Sequence, residues 1–155
     1  MLRLIYTVGL PGSGKSTWAK LQLRIDSDTY RVCRDDMRAM FHNLVWSDAK
    51  EEFILSMRDK AIIEVLKSRH SVIVDDINLN PSHEKRFYEI QKDLLSQFGL
   101  KVHVIRKDFF LDLPIDECIT RDLVRPNSVG EKVIRHLHNE YVKTEDERYI
   151  KGELE

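Results

Sequence analysis

Nine residues near the start of the chain carry the plainest chemistry: Gly9-Leu10-Pro11-Gly12-Ser13-Gly14-Lys15-Ser16-Thr17. They fit the pattern G-x-x-x-x-G-K-[ST], with Gly9, Gly14, Lys15 and Ser16 at the fixed positions. A loop that wraps a polyphosphate must turn several backbone N–H groups inward, which needs dihedrals that glycine reaches cheaply. A helix starting where the loop ends adds free N–H groups and its positive dipole end. Gly12, Ser13 and Thr17 complete the backbone cradle. Lys15 supplies a point charge to β/γ-phosphates, and the Ser16 hydroxyl is suited to Mg²⁺.

Two further clusters carry carboxylates, the first of them together with cations. Arg34-Asp35-Asp36-Met37-Arg38 places Asp35 and Arg38 three residues apart, on one face if helical. A kinase with an alcohol acceptor needs a carboxylate near the acceptor hydroxyl and a cation for the acceptor's own charge. A solvated helix start, with Asp35 and Asp36 favouring the dipole and Arg38 pairing locally, satisfies the same spacing. The second cluster is Val74-Asp75-Asp76-Ile77-Asn78-Leu79-Asn80-Pro81. An apolar strand ending in Asp is where phosphate-loop proteins keep a metal-shell or active-site carboxylate. Capping chemistry accounts for Asn80, less well for two adjacent carboxylates.

Elements that alternate must position these groups. Residues 2–8 form an apolar strand before the loop, and Trp18, Ala19, Leu21 and Gln22 continue after it as a helix. Strands are expected over 30–33, 71–75 and 100–105. A short helix is expected over 35–42, and a long one to about residue 69 with Ser47 as its cap. That long helix carries Phe53, Ile54, Met57, Ala61, Ile62, Val65 and Leu66 as a core stripe. Asn80 and Pro81 start a helix that turns Phe87, Ile90, Leu94 and Leu95 inward and ends near Gly99. Pro114 opens another, and a last one runs over about 129–145, with a fraying tail at 151–155. The result is an α/β phosphate-loop fold, an open parallel sheet of about four strands flanked by helices, with its site at the strands' C-terminal ends.

Composition narrows the class. With 155 residues, net charge −1 and 42% hydrophobic residues, a single domain over 1–155 is expected. Near-neutral charge argues against a long groove tracking many phosphates, but not against a grip on one or two. No apolar run approaches the ~20 residues of a membrane span, and the N-terminus lacks a signal peptide's apolar block. Cys33 and Cys118 share no metal-ligand spacing and suit a reduced core. A cytoplasmic protein is therefore expected. The six histidines show no metal spacing. Aromatic residues are expected in the core, although an exposed Trp46 or Phe41 near the acceptor site could stack on a base.

Taken together, the loop with its Thr-Trp-Ala continuation, Arg34-Asp35-Asp36-x-Arg38 and Asp76-x-Asn78-Leu79-Asn80-Pro81 resemble the P-loop polynucleotide kinase family of the T-even phage type. The similarity extends over most of the chain in order and interval. It implies transfer of the ATP γ-phosphoryl group to the 5′-hydroxyl of DNA or RNA, with Mg²⁺, as in nucleic-acid end repair in a host cytoplasm. Lys15, Asp35, Arg38 and Arg125 match the catalytic set. Within it, Asp35 matches the general base and Arg38 the contact to the acceptor's 3′-side phosphate. Arg34, Asp76 and Asn78 fall with Asp35 and Arg38 in the acceptor site, and Asp76 reaches the metal through a water. Arg121 and Arg125 fall in a helical lid over about 118–130, with Arg125 matching the arginine on the ATP phosphates. That lid departs from the family by being one residue shorter and by carrying Gly130 where the family has proline.

The family's 3′-phosphatase domain is absent from these residues, and Asp26-Ser27-Asp28-Thr29-Tyr30 is only superficially similar to an acid-phosphatase motif. Implied partners are 5′-OH nucleic-acid ends, a separately encoded ligase or phosphatase, and a second copy in a homo-oligomer. Two other readings fit the loop: a small-molecule kinase acting on a nucleoside, nucleotide or sugar, and an ATP-binding module without catalysis.

Overall fold

Aliphatic and β-branched runs that read as strands pair into one parallel sheet in the computed structural model, which describes residues 1–109 and 113–142. The strands are β1 (Leu2–Val8), β2 (Thr29–Val32), β3 (Ser71–Val74) and β4 (Val102–Asp108), in the order β2-β3-β1-β4. Helices α1 (Lys15–Ile25), α2 (Arg34–His42), α3 (Asp48–Lys67), α4 (Pro81–Phe98), α5 (Ile115–Leu123) and α6 (Glu131–Leu137) flank it, and α6 runs into a π-helical turn, His138–Val142. The expected fold, a four-stranded parallel sheet flanked by helices, is the one observed.

Register explains where the site must lie. β1 pairs with β3 through Leu4–Val72 to Tyr6–Val74, and with β4 along its whole length, Leu2–Val102 to Val8–Asp108. The chain leaves β1 toward β2 on one side while β4 lies on the other, so a crevice opens at the C-terminal end of β1. The phosphate loop occupies that crevice. Full pairing with β1 also carries β4 three residues beyond its expected end. β2 and β3 keep four residues each, and Asp75 lies just past the end of β3.

The helix starts follow their capping signals. Ser47 Oγ accepts the Lys50 N–H at 3.2 Å, and Asn80 Oδ1 accepts the Ser82 N–H at 3.0 Å. Each cap is worth about 1 kcal/mol. Gly99 closes α4 in the left-handed region. The Asp-Ser-Asp segment is a turn: Asp26 closes α1 and its carboxylate accepts the Thr29 hydroxyl and the Asp28 N–H.

Three expectations need correction. Phe53 and Leu95 lie on the outer faces of their helices, Phe53 against Phe41, rather than in the core. In α3 the buried stripe is Ile54, Arg58, Ile62 and Leu66, so a guanidinium occupies a position that periodicity assigns to an apolar side chain. The last helix begins at Glu131 rather than 129 and changes to a π turn after Leu137. Residues 143–145 of its expected span, and the tail, lie outside the described residues. Among the described residues no helix is long and apolar enough to cross a membrane.

Candidate functional site

Strand ends β1 and β3 are zipped together by polar groups that the apolar runs do not announce. The Thr7 hydroxyl donates to the Asp76 carbonyl at 2.8 Å, Asn78 Nδ2 donates to the Thr7 carbonyl at 2.9 Å, and the Gly9 N–H donates to the Ile77 carbonyl at 3.0 Å. These bonds hold the carboxylate loop 75–78 beside the phosphate loop. Asn78 takes φ +44°, a left-handed conformation that Asn tolerates. Its Nδ2 is spent on backbone while its Oδ1 is buried without a hydrogen-bond partner, and Asn78 lines neither of the two cavities described below.

Gly14 caps α1 at φ +94° without any side-chain bond, so the first N–H groups of the helix remain for a ligand. Gly12 has a different role. A Cβ there would lie 2.4 Å from the Cys118 carbonyl, so α5 rests directly on the loop and only glycine permits that approach. Lys15 is buried, donating to the Leu10 carbonyl at 2.7 Å and to Ser13 Oγ at 3.3 Å. Burial lowers its ammonium to about 8, partly countered by Asp75 and Asp76 and reinforced by Arg125.

Two cavities meet at this loop. The first, about 380 Å³, is lined by residues of the loop and by Lys20, Arg31, Asp36, Arg121, Arg125 and Asn127. Five cations, Lys15, Lys20, Arg31, Arg121 and Arg125, face it against two carboxylates, Asp35 and Asp36. The second, about 430 Å³, has a polar wall that includes Arg34, Arg38, Asp75 and Asp76, and an apolar wall that includes Trp46, Val129 and Val133. Lys15, Ser16, Asp35 and Arg125 line both. Arg121 lines the first alone. Among the residues expected from sequence, the fold thus brings Lys15, Ser16, Asp35, Arg34, Arg38, Asp76 and Arg125 to the cavity walls, and places Asn78 behind them, between the ends of β1 and β3.

The arginines are aimed by carboxylates. Asp35 Oδ1 accepts Arg38 NH1 at 2.6 Å, while Glu51, from the first turn of α3, accepts Arg38 Nε and NH2 at 2.9 and 2.6 Å and Arg34 NH1 at 3.2 Å. Burial works to raise the Glu51 carboxyl, but hydrogen bonds and charge from Arg38 and Arg34 outweigh it and hold it below the usual range. Arg38 spends three of its five N–H donors in this way, and two remain. The Arg34 N–H donates to Asp76 Oδ1 at 2.8 Å. Burial pushes the Asp76 carboxyl up, against the pull of Arg34. Asp75 is held by Arg31 Nε at 2.7 Å.

Behind this layer Arg58, fully buried against the Phe87 ring, donates to Asp59 and, at 2.9 Å, to His83 Nδ1. Because a guanidinium only donates, Nδ1 accepts and His83 is neutral. Burial, with Arg34 and Arg58 adding to it, lowers His83 to about 4. Between pH 6.5 and 4 the unfolded chain therefore binds a proton that the folded one refuses, and stability falls as pH falls through that window. A declining urea midpoint from pH 6.5 to 4, made shallower by His83→Gln, is the expected result.

The segment expected to form a lid is organised by Asp122, which the sequence does not announce. Fully buried, it accepts Ser128 Oγ at 2.6 Å and the N–H groups of Gly130 and Val129 at 3.0 and 3.3 Å, with Arg125 NH1 at 3.7 Å. Burial works against its charge, yet these donors hold the carboxyl below its ordinary value. Gly130 sits at φ +88°, a conformation that proline cannot adopt. Glu51, Arg31, Arg58, His83 and Asp122 all escaped sequence reasoning. Only Arg58 left a signal, as a cation in the apolar i, i+4 series of α3.

The site suits ATP and Mg²⁺, the pair that the resemblance implies. The uncapped start of α1 and the cationic first cavity fit a polyphosphate. Ser16, with Asp75 Oδ1 and Asp76 Oδ2, fits Mg²⁺: both carboxylate oxygens are buried without a hydrogen-bond partner, the latter 3.2 Å from Arg34 Nε. Among the described residues no group of three or more His, Cys, Asp or Glu could hold a metal unaided. Cys33 and Cys118 are buried and free, and burial, with the nearby Asp76 charge, pushes the Cys33 thiol up to about 12.

Comparison with known proteins agrees with the fold. A family model described as an AAA domain matches residues 4–143. An L-seryl-tRNA(Sec) kinase of Methanococcus maripaludis is 28% identical over 142 residues, 89% of this chain and 52% of that protein. A chain in the structure of the Pnkp1/Rnl/Hen1 RNA repair complex superposes with a TM-score of 0.69 at 29% identity, over 94% of this chain and 46% of its own. The Mycobacterium tuberculosis APS kinase CysC in complex with AMPPNP and APS gives 0.60 at 23% identity, over 81% and 69%, and speaks for the fold. The chain spans about half the length of the first two. An AAA domain is a broader grouping than the phage-type kinases that the motifs resemble.

Proposed function

This chain belongs to the AAA domain family, and from that premise we propose that it is an ATP-dependent kinase of the 5′-hydroxyl ends of DNA or RNA. The observation that carries the reading is the wall shared by the two cavities: Lys15, Ser16, Asp35 and Arg125 face both. A phosphoryl group passing from donor to acceptor must cross such a wall. The first cavity takes the ATP phosphates, on Lys15, the loop and Arg121. The second takes the acceptor. There Asp35 accepts the proton of the 5′-hydroxyl as its oxygen bonds to the γ-phosphorus and the bond to ADP breaks. The two remaining Arg38 donors hold the acceptor's 3′-side phosphate, and Arg125 meets charge developing between the sites. Ser16 and the Asp75–Asp76 pair would hold Mg²⁺, which would supply charge neutralisation on the donor phosphates.

Support comes from the RNA repair complex that contains the similar chain; on this reading the protein works beside a separately encoded ligase or phosphatase. Incubation with labelled ATP, Mg²⁺ and a 5′-OH oligonucleotide, beside nucleoside, nucleotide and sugar acceptors, is the test. Label on the oligonucleotide is expected; label on a small acceptor alone would favour a small-molecule kinase, for which the apolar wall of the second cavity is equally suited.

The lowered Lys15 ammonium has a thermodynamic signature. Between pH 8 and 10 the free protein carries Lys15 largely neutral, and bound phosphate restores its charge. ATP binding in that range is expected to take up as much as about one proton, and to weaken as pH rises. Calorimetry in buffers of different ionisation enthalpy reads the uptake, which Lys15→Arg should abolish because arginine stays charged.

A further inference from the structure

Trp46 is 62% exposed yet lines the second cavity, at the connection between α2 and α3. The Arg38 guanidinium lies over its ring, 5.7 Å from the centroid, while the edge of the same guanidinium bonds Asp35. Asp35, Arg38 and Trp46 therefore succeed one another along the cavity. In the proposed function, on which the role of Trp46 rests, Asp35 meets the 5′-hydroxyl and Arg38 the 3′-side phosphate. The next group of a polynucleotide along that line is the base of the second nucleotide.

We propose that Trp46 is a stacking platform for the second base of the acceptor strand, so that the site selects unpaired 5′ ends of two or more nucleotides over mononucleotide acceptors. A phosphate-holding cation beside an open aromatic face is the pairing by which proteins grip single strands without reading sequence. An indole left in water at a cavity wall gains apolar burial only when something flat covers it. A base inside a duplex is already stacked on its neighbours, so the platform takes it only where the end is single-stranded or frayed. Stacking on an aromatic residue tolerates every base, so no sequence preference accompanies it.

Fluorescence and kinetics test this separately. Trp18, packed on Phe109, is the other tryptophan of the chain, so Trp18→Phe leaves Trp46 as sole reporter. Titration with a 5′-OH pentanucleotide is expected to quench Trp46, and an abasic second position to abolish the quench. Trp46→Ala should raise KM for the pentanucleotide about tenfold to a hundredfold. KM for a nucleoside 3′-monophosphate should stay within about twofold, and Trp46→Phe should restore most of the loss. An equal rise on the mononucleotide would mean that Trp46 only braces Arg38, and overturns the proposal. Failure to label any oligonucleotide rejects the kinase reading instead. The fluorescence titration is read independently, and an unmoved Trp46 emission rejects the stacking platform whatever the labelling shows.

Discussion

Arg125→Ala is expected to lower kcat at least a hundredfold, with Arg121→Ala costing less than about tenfold. Charge-stabilising arginines in phosphoryl transfer contribute about 10³–10⁵ in rate. Arg125 faces both cavities, whereas Arg121 faces one and is half exposed beside Glu117, 3.2 Å away. Arg125 meets Asp122 at 3.7 Å, longer than a hydrogen bond, so its guanidinium is available to a phosphate. Steady-state rates at saturating ATP and acceptor separate the two arginines. A near-wild-type rate for Arg125→Ala would discard its role, and a larger loss for Arg121→Ala would transfer it.

Asp35→Asn is the second large effect, a fall in kcat of about 10²–10⁴ with ATP affinity unchanged within about threefold. The amide keeps the size of the side chain and an oxygen to accept from Arg38, but it cannot take the proton of the acceptor hydroxyl. In the proposed function the donor binds on the loop and the cations of the first cavity, which the change leaves in place. Single-turnover rates, with ATP affinity measured separately, check this. Weakened ATP binding with intact turnover would contradict the base assignment and return Asp35 to the role of a local partner for Arg38.

The phosphate loop was legible because its chemistry is local. Gly9 to Thr17 must turn backbone inward and then start a helix, and both needs are met within nine residues. Ser47, Asn80, Pro81 and Gly99 were legible for the same reason: a cap acts on the next turn of chain. Asp35 and Arg38 could be paired from a three-residue spacing, but that spacing left a solvated helix start equally open. Glu51, thirteen residues beyond Arg38, is what fixes the arginine, and no local pattern carries such a contact.

By itself, then, the order of residues determined a parallel α/β sheet, a loop shaped for a polyphosphate, and the cations and carboxylates at the neighbouring strand ends. Those features arise from periodicity, dihedral preference and capping, all short-range effects. Tertiary structure alone decided how they are used. Packing of α5 on Gly12 brings Arg125 over the loop, and the buried Asp122 sets the path of the chain through Gly130. The zipper from Thr7 to Asn78 ties the Asn78 amide nitrogen to backbone and holds Asp75 and Asp76 in place. Two cavities sharing one wall arise only when segments more than a hundred residues apart meet, because the charge of each buried group is tolerable only against a partner from another element.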